Sequence, residues 1–134
     1  MLLKEIMGFK ESFMSDEFDR LDHKLKYIVY AYALRMYMLH DNRPTITSVF
    51  RPENKASVHS SFRGCDVRTR DMDAGHVAAG VAFINGFTVY DPQRPEMKCA
   101  VYKLTGKEAA EHGAHEDHVH FQVHPNTQFV VKEA

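Results

Sequence analysis

The chain has 134 residues, 44% of them hydrophobic and 26% charged, with a formal net charge of -1 from 17 basic and 18 acidic side chains. That size and composition fit one globular domain with an ordinary core. The charge balance is unlike that of a strongly basic nucleic-acid binder, and no stretch approaches the ~20 apolar residues that span a bilayer.

Met1 to Phe13 carries Lys4 and Glu5 early and lacks both a long apolar run and a small-residue cleavage site. It does not read as a secretory signal, so the expectation is a chain that is cytoplasmic when made. Ser15, followed by Asp16 and Glu17, reads as a helix N-cap with acids in the first turn. Apolar residues then recur at Phe18, Leu21, Leu25, Ile28, Val29, Tyr32, Met36 and Leu39. Steps of three and four predict one long helix from about Asp16 to His40, ended by Asp41, Asn42 and Pro44.

Thr45 to Phe50 is β-branched and aromatic and predicts a strand. Arg51 to Phe62 reads as a polar loop, and Gly64 to Thr69 as a second strand. Asp73 caps a predicted helix from Ala74 to Ile84, closed by Asn85-Gly86. Phe87 to Tyr90 reads as a strand, Asp91 to Pro95 as a turn, Lys98 to Leu104 as a weakly alternating strand and Lys107 to His112 as a short helix. His118 to Val123 alternates clearly. His118, His120 and Gln122 share one face; Val119, Phe121 and Val123 share the other. Phe129 to Val131 predicts a last edge strand. The expected class is α+β, a small antiparallel sheet packed with helices.

Nine histidines are present, and five of them (His112, His115, His118, His120 and His124) fall in the last quarter. Cys65 and Cys99 are too few for a disulfide framework and read as free thiols. The segments Ser57 to Asp66 and Asp117 to Gln122 carry the residue types of a hydrolytic zinc site. Such a site needs three imidazole or carboxylate ligands and one position for water, whose pKa the metal lowers toward ~7. A carboxylate must then move the proton, and a cationic or amide group must meet the developing oxyanion. On a regular strand Asp117 has the opposite parity to His118 and His120, so a turn or bulge at the strand's start has to re-aim it. The zincin signature H-E-x-x-H is absent.

On these segments the chain resembles the zinc peptidases that cut D-alanyl bonds in bacterial cell walls, including phage endolysins of the L-alanyl-D-glutamate type. They belong to the lysostaphin, D-Ala-D-Ala peptidase and sonic hedgehog superfamily. Ser57, His59 and Asp66 match the first motif, S-x-H-x-x-G-x-A-x-D. Asp117, His120 and Phe121 match the second, an acid three residues before a ligand histidine that an aromatic residue follows. Arg51 stands where an upstream arginine is expected. Phe62 and Gly64 depart from the first motif's Gly and Ala, and the adjacent Glu116 is the alternative to Asp117 as the acting acid if the register differs by one.

The resemblance implies a hedgehog/D-Ala-D-Ala-peptidase-like fold and one zinc ion held by His59, Asp66 and His120. It further implies Asp117 as general base and then acid, and Arg51 as stabiliser of the substrate carbonyl. Ser57 and His118 would touch substrate. The expected unit is one catalytic domain over 1–134, with a helical part over 1–42 and a zinc-site core over 43–134. The expected substrate is a peptidoglycan stem peptide, reached after release or delivery to the wall, with no nucleic-acid or membrane partner; the oligomeric state is left open. A non-catalytic, zinc-containing relative of the same fold is the alternative.

Overall fold

The computed structural model describes residues 3–50, 61–104 and 117–130. The expected helix over Lys107 to His112 and the site residues Arg51, Ser57 and His59 lie outside the described residues. A short 3-10 turn, Leu3–Ile6, leads into strand β1 (Gly8–Phe9), which no sequence pattern announced.

The long helix expected from Asp16 to His40 is two helices, α1 (Met14–Asp19) and α2 (His23–His40). Asp22 causes the break. Its backbone is extended at ψ 138°, its side chain accepts from the Lys24 N–H at 2.9 Å as N-cap of α2, and its own N–H goes to the Phe62 carbonyl at 2.9 Å. These local bonds outcompete continued helix. Ser15 is not the cap expected of it either. Phe13 holds that position without a side-chain bond, while the Ser15 hydroxyl accepts from Lys4 Nζ at 3.0 Å.

Helix α2 buries Leu25, Ile28, Val29, Tyr32 and Met36 of the stripe read from the sequence, together with Ala33, while Leu39, also in that stripe, is exposed at the end of the helix. Each fully buried aliphatic side chain contributes about 1.5–3 kcal/mol relative to exposure. The helix stops where expected. Asp41 turns left-handed at φ 51°, and the Asn42 N–H returns to the Met36 carbonyl at 3.2 Å. Helix α3 (Ala74–Phe87) starts under its Asp73 cap but runs past Asn85-Gly86 to Phe87. Asn85 does not close it. Its amide instead grips the backbone of strand β5 (Ala100–Lys103), with Nδ2 donating to the Ala100 carbonyl at 2.9 Å and Oδ1 accepting the Ala100 N–H at 3.0 Å.

The other strands are β2 (Thr45–Ser48), β3 (Gly64–Arg68), β4 (Thr88–Val89), β6 (His118–Gln122) and β7 (Gln128–Phe129). The main sheet runs β1-β2-β3-β6-β5, antiparallel except for the β1-β2 pair, and β4 pairs with β7 in a separate antiparallel ribbon. The described residues therefore form a mixed α+β fold with three α-helices, and none of these helices is long and apolar enough to cross a membrane.

Tyr32 links the layers. A Cβ on Gly80 of α3 would stand 2.8 Å from its ring, so the missing side chain at Gly80 lets the two helices approach. The Tyr32 ring meets Phe121 of β6 edge-on at 5.0 Å. Tyr32, Phe121, Val119, Cys65 and Val67 are all buried within one apolar cluster. Strand alternation therefore sends Gly64, Asp66 and Arg68 of β3, and His118, His120 and Gln122 of β6, to the opposite face.

Two expectations follow. Gly80→Ala should lower stability by about 1–3 kcal/mol through overpacking against Tyr32. Gly86→Ala, whose Cβ meets nothing within 4 Å, should raise it by about 0.4–1 kcal/mol; thermal or urea unfolding of both variants checks the pair. The Asp73 carboxyl accepts the His76 N–H at 3.1 Å, and that bond holds it below the usual carboxylate range. A depressed folded pKa means a stabilisation that is full above the unfolded value of ~4 and lost as pH falls through the folded one. The melting temperatures of wild type and Asp73→Ala should thus differ at neutral pH and converge in strong acid.

Candidate metal centre

The second face of the sheet is built around one antiparallel pairing. In the β3-β6 ladder Asp66 stands directly opposite His120, with Arg68 opposite His118 and Gly64 opposite Gln122. Residues 54 positions apart in the chain thereby meet: His120 Nδ1 lies 2.8 Å from Asp66 Oδ1. Directly opposed residues have Cβ atoms only about 4.5–5.5 Å apart, so an imidazole and a carboxylate there must touch or diverge. Here they touch, and both are buried, Asp66 at 4% and His120 at 7% exposure.

A buried carboxylate and imidazole are costly without partners. The contact between Nδ1 and Oδ1 needs a proton or a cation between the two lone pairs. The other ring nitrogen, Nε2, lies 3.1 Å from Gln122 Oε1, and Gln122 Nε2 donates to the Lys98 carbonyl at 2.8 Å. His118 is half-buried, with Nε2 3.9 Å from Asp66 Oδ1. It sits between Arg68 on one neighbouring strand and Lys103 on the other. One register step from the Asp66–His120 pair, three basic side chains thus lie in a row across the sheet.

Asp117 immediately precedes β6 and is half-buried. Cys65 faces the apolar layer, and burial, with the Asp66 charge adding to it, pushes its thiol well above the ordinary range. Cys99 is raised as well, by burial, with hydrogen bonds to Thr88 and Thr127 opposing. Neither offers a ready thiolate nucleophile or ligand at neutral pH.

Phe62, standing at the motif's glycine position, has φ 59°, a left-handed conformation that favours glycine. The phenylalanine is held there by a parallel stack on Phe50 at 4.4 Å and by the Arg20 guanidinium 4.6 Å above its ring.

Of the three ligands expected from the sequence, the structure brings two together, Asp66 and His120. Among the described residues no group of three or more His, Cys, Asp or Glu side chains is placed to hold a metal, and His59 falls outside them. The pair itself suits zinc chemically, one carboxylate oxygen and one imidazole nitrogen. Two ligand atoms ~2.0–2.1 Å from a tetrahedral zinc stand about 3.3 Å apart, so the pair would need to open by roughly half an ångström. Parity places Gln122 on this face, and the spacing His120-x-Gln122 is the only signal the sequence carries for its contact with His120. Arg68 and Lys103 carried no signal beyond their charge, because only the register shows that they flank His118.

The chain matches no protein-family model, no curated protein and no solved structure.

If Asp66 and His120 hold each other in the buried layer, their substitutions should be coupled. In a double-mutant cycle with Asp66→Ala and His120→Ala, unfolding free energies should show an interaction of about 0.5–3 kcal/mol. Additive losses would mean that the two side chains stand independently.

Proposed function

We propose that the chain is a zinc peptidase of the lysostaphin, D-Ala-D-Ala peptidase and hedgehog type, acting on peptidoglycan stem peptides. The Asp66–His120 contact across β3 and β6 carries the reading, because it joins the ligand positions of two separate motifs at 2.8 Å on a polar face. Phe62 adds independent support. The position where the motif has glycine is a position of positive φ, which is a physical reason for a glycine there. A hedgehog/D-Ala-D-Ala-peptidase-like fold, finer than the α+β class described above, is part of this proposal.

In this reading His59, Asp66 and His120 hold one zinc ion. When bound, the metal supplies Lewis acidity and an activated water. Asp117, just before β6, acts as general base toward that water and then as acid toward the leaving amine. Arg51 opposes charge that develops on the substrate carbonyl. Ser57 and His118 contact the peptide. The row Arg68–His118–Lys103 suits the carboxylates of an anionic stem peptide. The chain would be cytoplasmic when made and reach the wall after release or delivery.

A second reading has one observation in its favour. His118 Nε2 lies 3.9 Å from Asp66 Oδ1, close enough to close a fourth metal position and leave a purely structural centre.

Zinc content and hydrolysis of cell-wall preparations by wild type and Asp117→Ala separate the two. The peptidase should bind one equivalent of zinc and release stem-peptide fragments. Asp117→Ala should keep the metal and lose about 100-fold or more of the rate, the scale of general acid-base catalysis. A zinc-loaded wild type inert on every wall preparation would instead favour the structural centre.

A further inference from the structure

We infer that the outer faces of α2 and α3 form a self-association surface, on which a second copy of this chain packs back to back. This inference is independent of the zinc reading.

Both helices carry too few charges for elements that face water. After Lys26, Arg35 is the one Lys, Arg, Asp or Glu in α2, and α3 has none. A helix that is apolar on all sides needs cover on its outer side as well as its inner one. The inner stripe of α2 is in the core. Tyr27, Leu34 and Met38, at steps of seven and four, make a second stripe that faces solvent. Helix α3 exposes Phe83 among small residues, Ala79, Ala82 and Gly86. Ring contacts join these pieces into one patch. Tyr27 meets Phe87 of α3 at 6.4 Å and Phe129 of β7 at 5.1 Å, and Phe87 meets Phe83 at 5.4 Å.

The size of the patch matches half of a dimer interface. Tyr27, Leu34, Met38, Phe83 and Phe129 are each 40–71% exposed. At about 200 Å² for a large side chain, they leave roughly 500 Å² of apolar surface in water. Homodimer interfaces are about 65% apolar and a standard one covers about 800 Å² per partner, so the patch supplies the apolar share of one.

Shape and charge favour a second copy as the occupant. Bulky side chains of α2 lie beside the small residues of α3. A two-fold axis along the seam between them would seat each copy's α2 stripe on the other's α3, so one patch provides both halves of the contact. The Arg35 guanidinium lies 5.1 Å over the Phe83 ring, and its Nε is buried without a hydrogen-bond partner. Arginine and aromatic side chains are the residue types enriched in interface cores. A membrane surface fits less well, because helices that lie on membranes carry lysines and arginines along the flank of the apolar face. Here Lys24 is engaged by the Pro125 and Thr127 carbonyls. Helices α2 and α3 cover the apolar face of the main sheet, so copies joined through them turn their Asp66–His120 faces outward.

Sedimentation velocity of the full-length chain tests this. Buried area does not fix affinity, so the range should run from about 1 to 100 μM. The wild type should populate a dimer within that range. Met38→Lys and Ala82→Lys, one on each helix and both at exposed positions, should each weaken it about 100-fold or more, with helical circular dichroism unchanged. Leu104→Lys, equally exposed but at the end of β5, should leave it intact. A readout without substitution accompanies these: in methionine-methyl spectra of the wild type the Met38 signal should shift with concentration, and that of buried Met14 should not. A wild type that stays monomeric at the upper concentration would overturn the inference, whether or not it sediments with anionic phospholipid vesicles. So would a dimer that survives both lysine substitutions, one that Leu104→Lys disrupts equally, or a Met38 signal that ignores concentration.

Discussion

Everything on the polar face depends on the register of β3 against β6. Strand pairing has a period of two, so a slip of one residue would send Asp66 into the apolar layer or bring Cys65 out beside His120. The opposite face prevents that slip. Cys65, Val67, Val119 and Phe121 are fully buried there, and Phe121 is locked edge-on against Tyr32. Tyr32 in turn sits under α3 because Gly80 has no side chain to hold the helices apart. Precision at a buried polar pair is thus enforced by apolar packing on the far side of the same two strands.

The polar face works by chained satisfaction. Asp66 meets His120, His120 meets Gln122, and Gln122 ends on a backbone carbonyl. Each buried polar atom in that series has a partner, which makes a carboxylate at 4% exposure tolerable. Phe62 shows the opposite economy. A side chain in a left-handed conformation is disfavoured by roughly 1–2 kcal/mol, and here stacking on Phe50 and the Arg20 guanidinium offset that strain.

Much of this was legible before the structure. The alternation of His118 to Val123 placed two imidazoles and an amide on one face, and the ladder agrees. The apolar stripe of α2 and its stop at Asp41 were equally readable. The break at Asp22 was hidden because Leu21 and Leu25 continue the helical spacing straight across it, and periodicity does not register a capping carboxylate. Asn85-Gly86 misled for a related reason. The pair has the composition of a helix stop, but Asn85 is occupied by a strand that is distant in sequence. The two-residue strand β1 is too short to leave a pattern, whereas β4 and β7 lie at or beside the strands read over Phe87 to Tyr90 and from Phe129. At the site, motif spacing pointed to Asp66 and His120. The atoms by which they meet, the Gln122–Lys98 link and the basic row through His118 depend on register and rotamer, which spacing does not encode.

Asn85 has one more consequence. Strand β5 is an outer strand of the main sheet, and an outer strand exposes main-chain donors and acceptors that a stray chain can zip onto. At Ala100 both groups are already engaged by a side-chain amide that imitates a neighbouring strand. A helix thereby occupies, at that point of the rim, the two groups an incoming strand would need, through a residue whose composition suggested only a place for the helix to end.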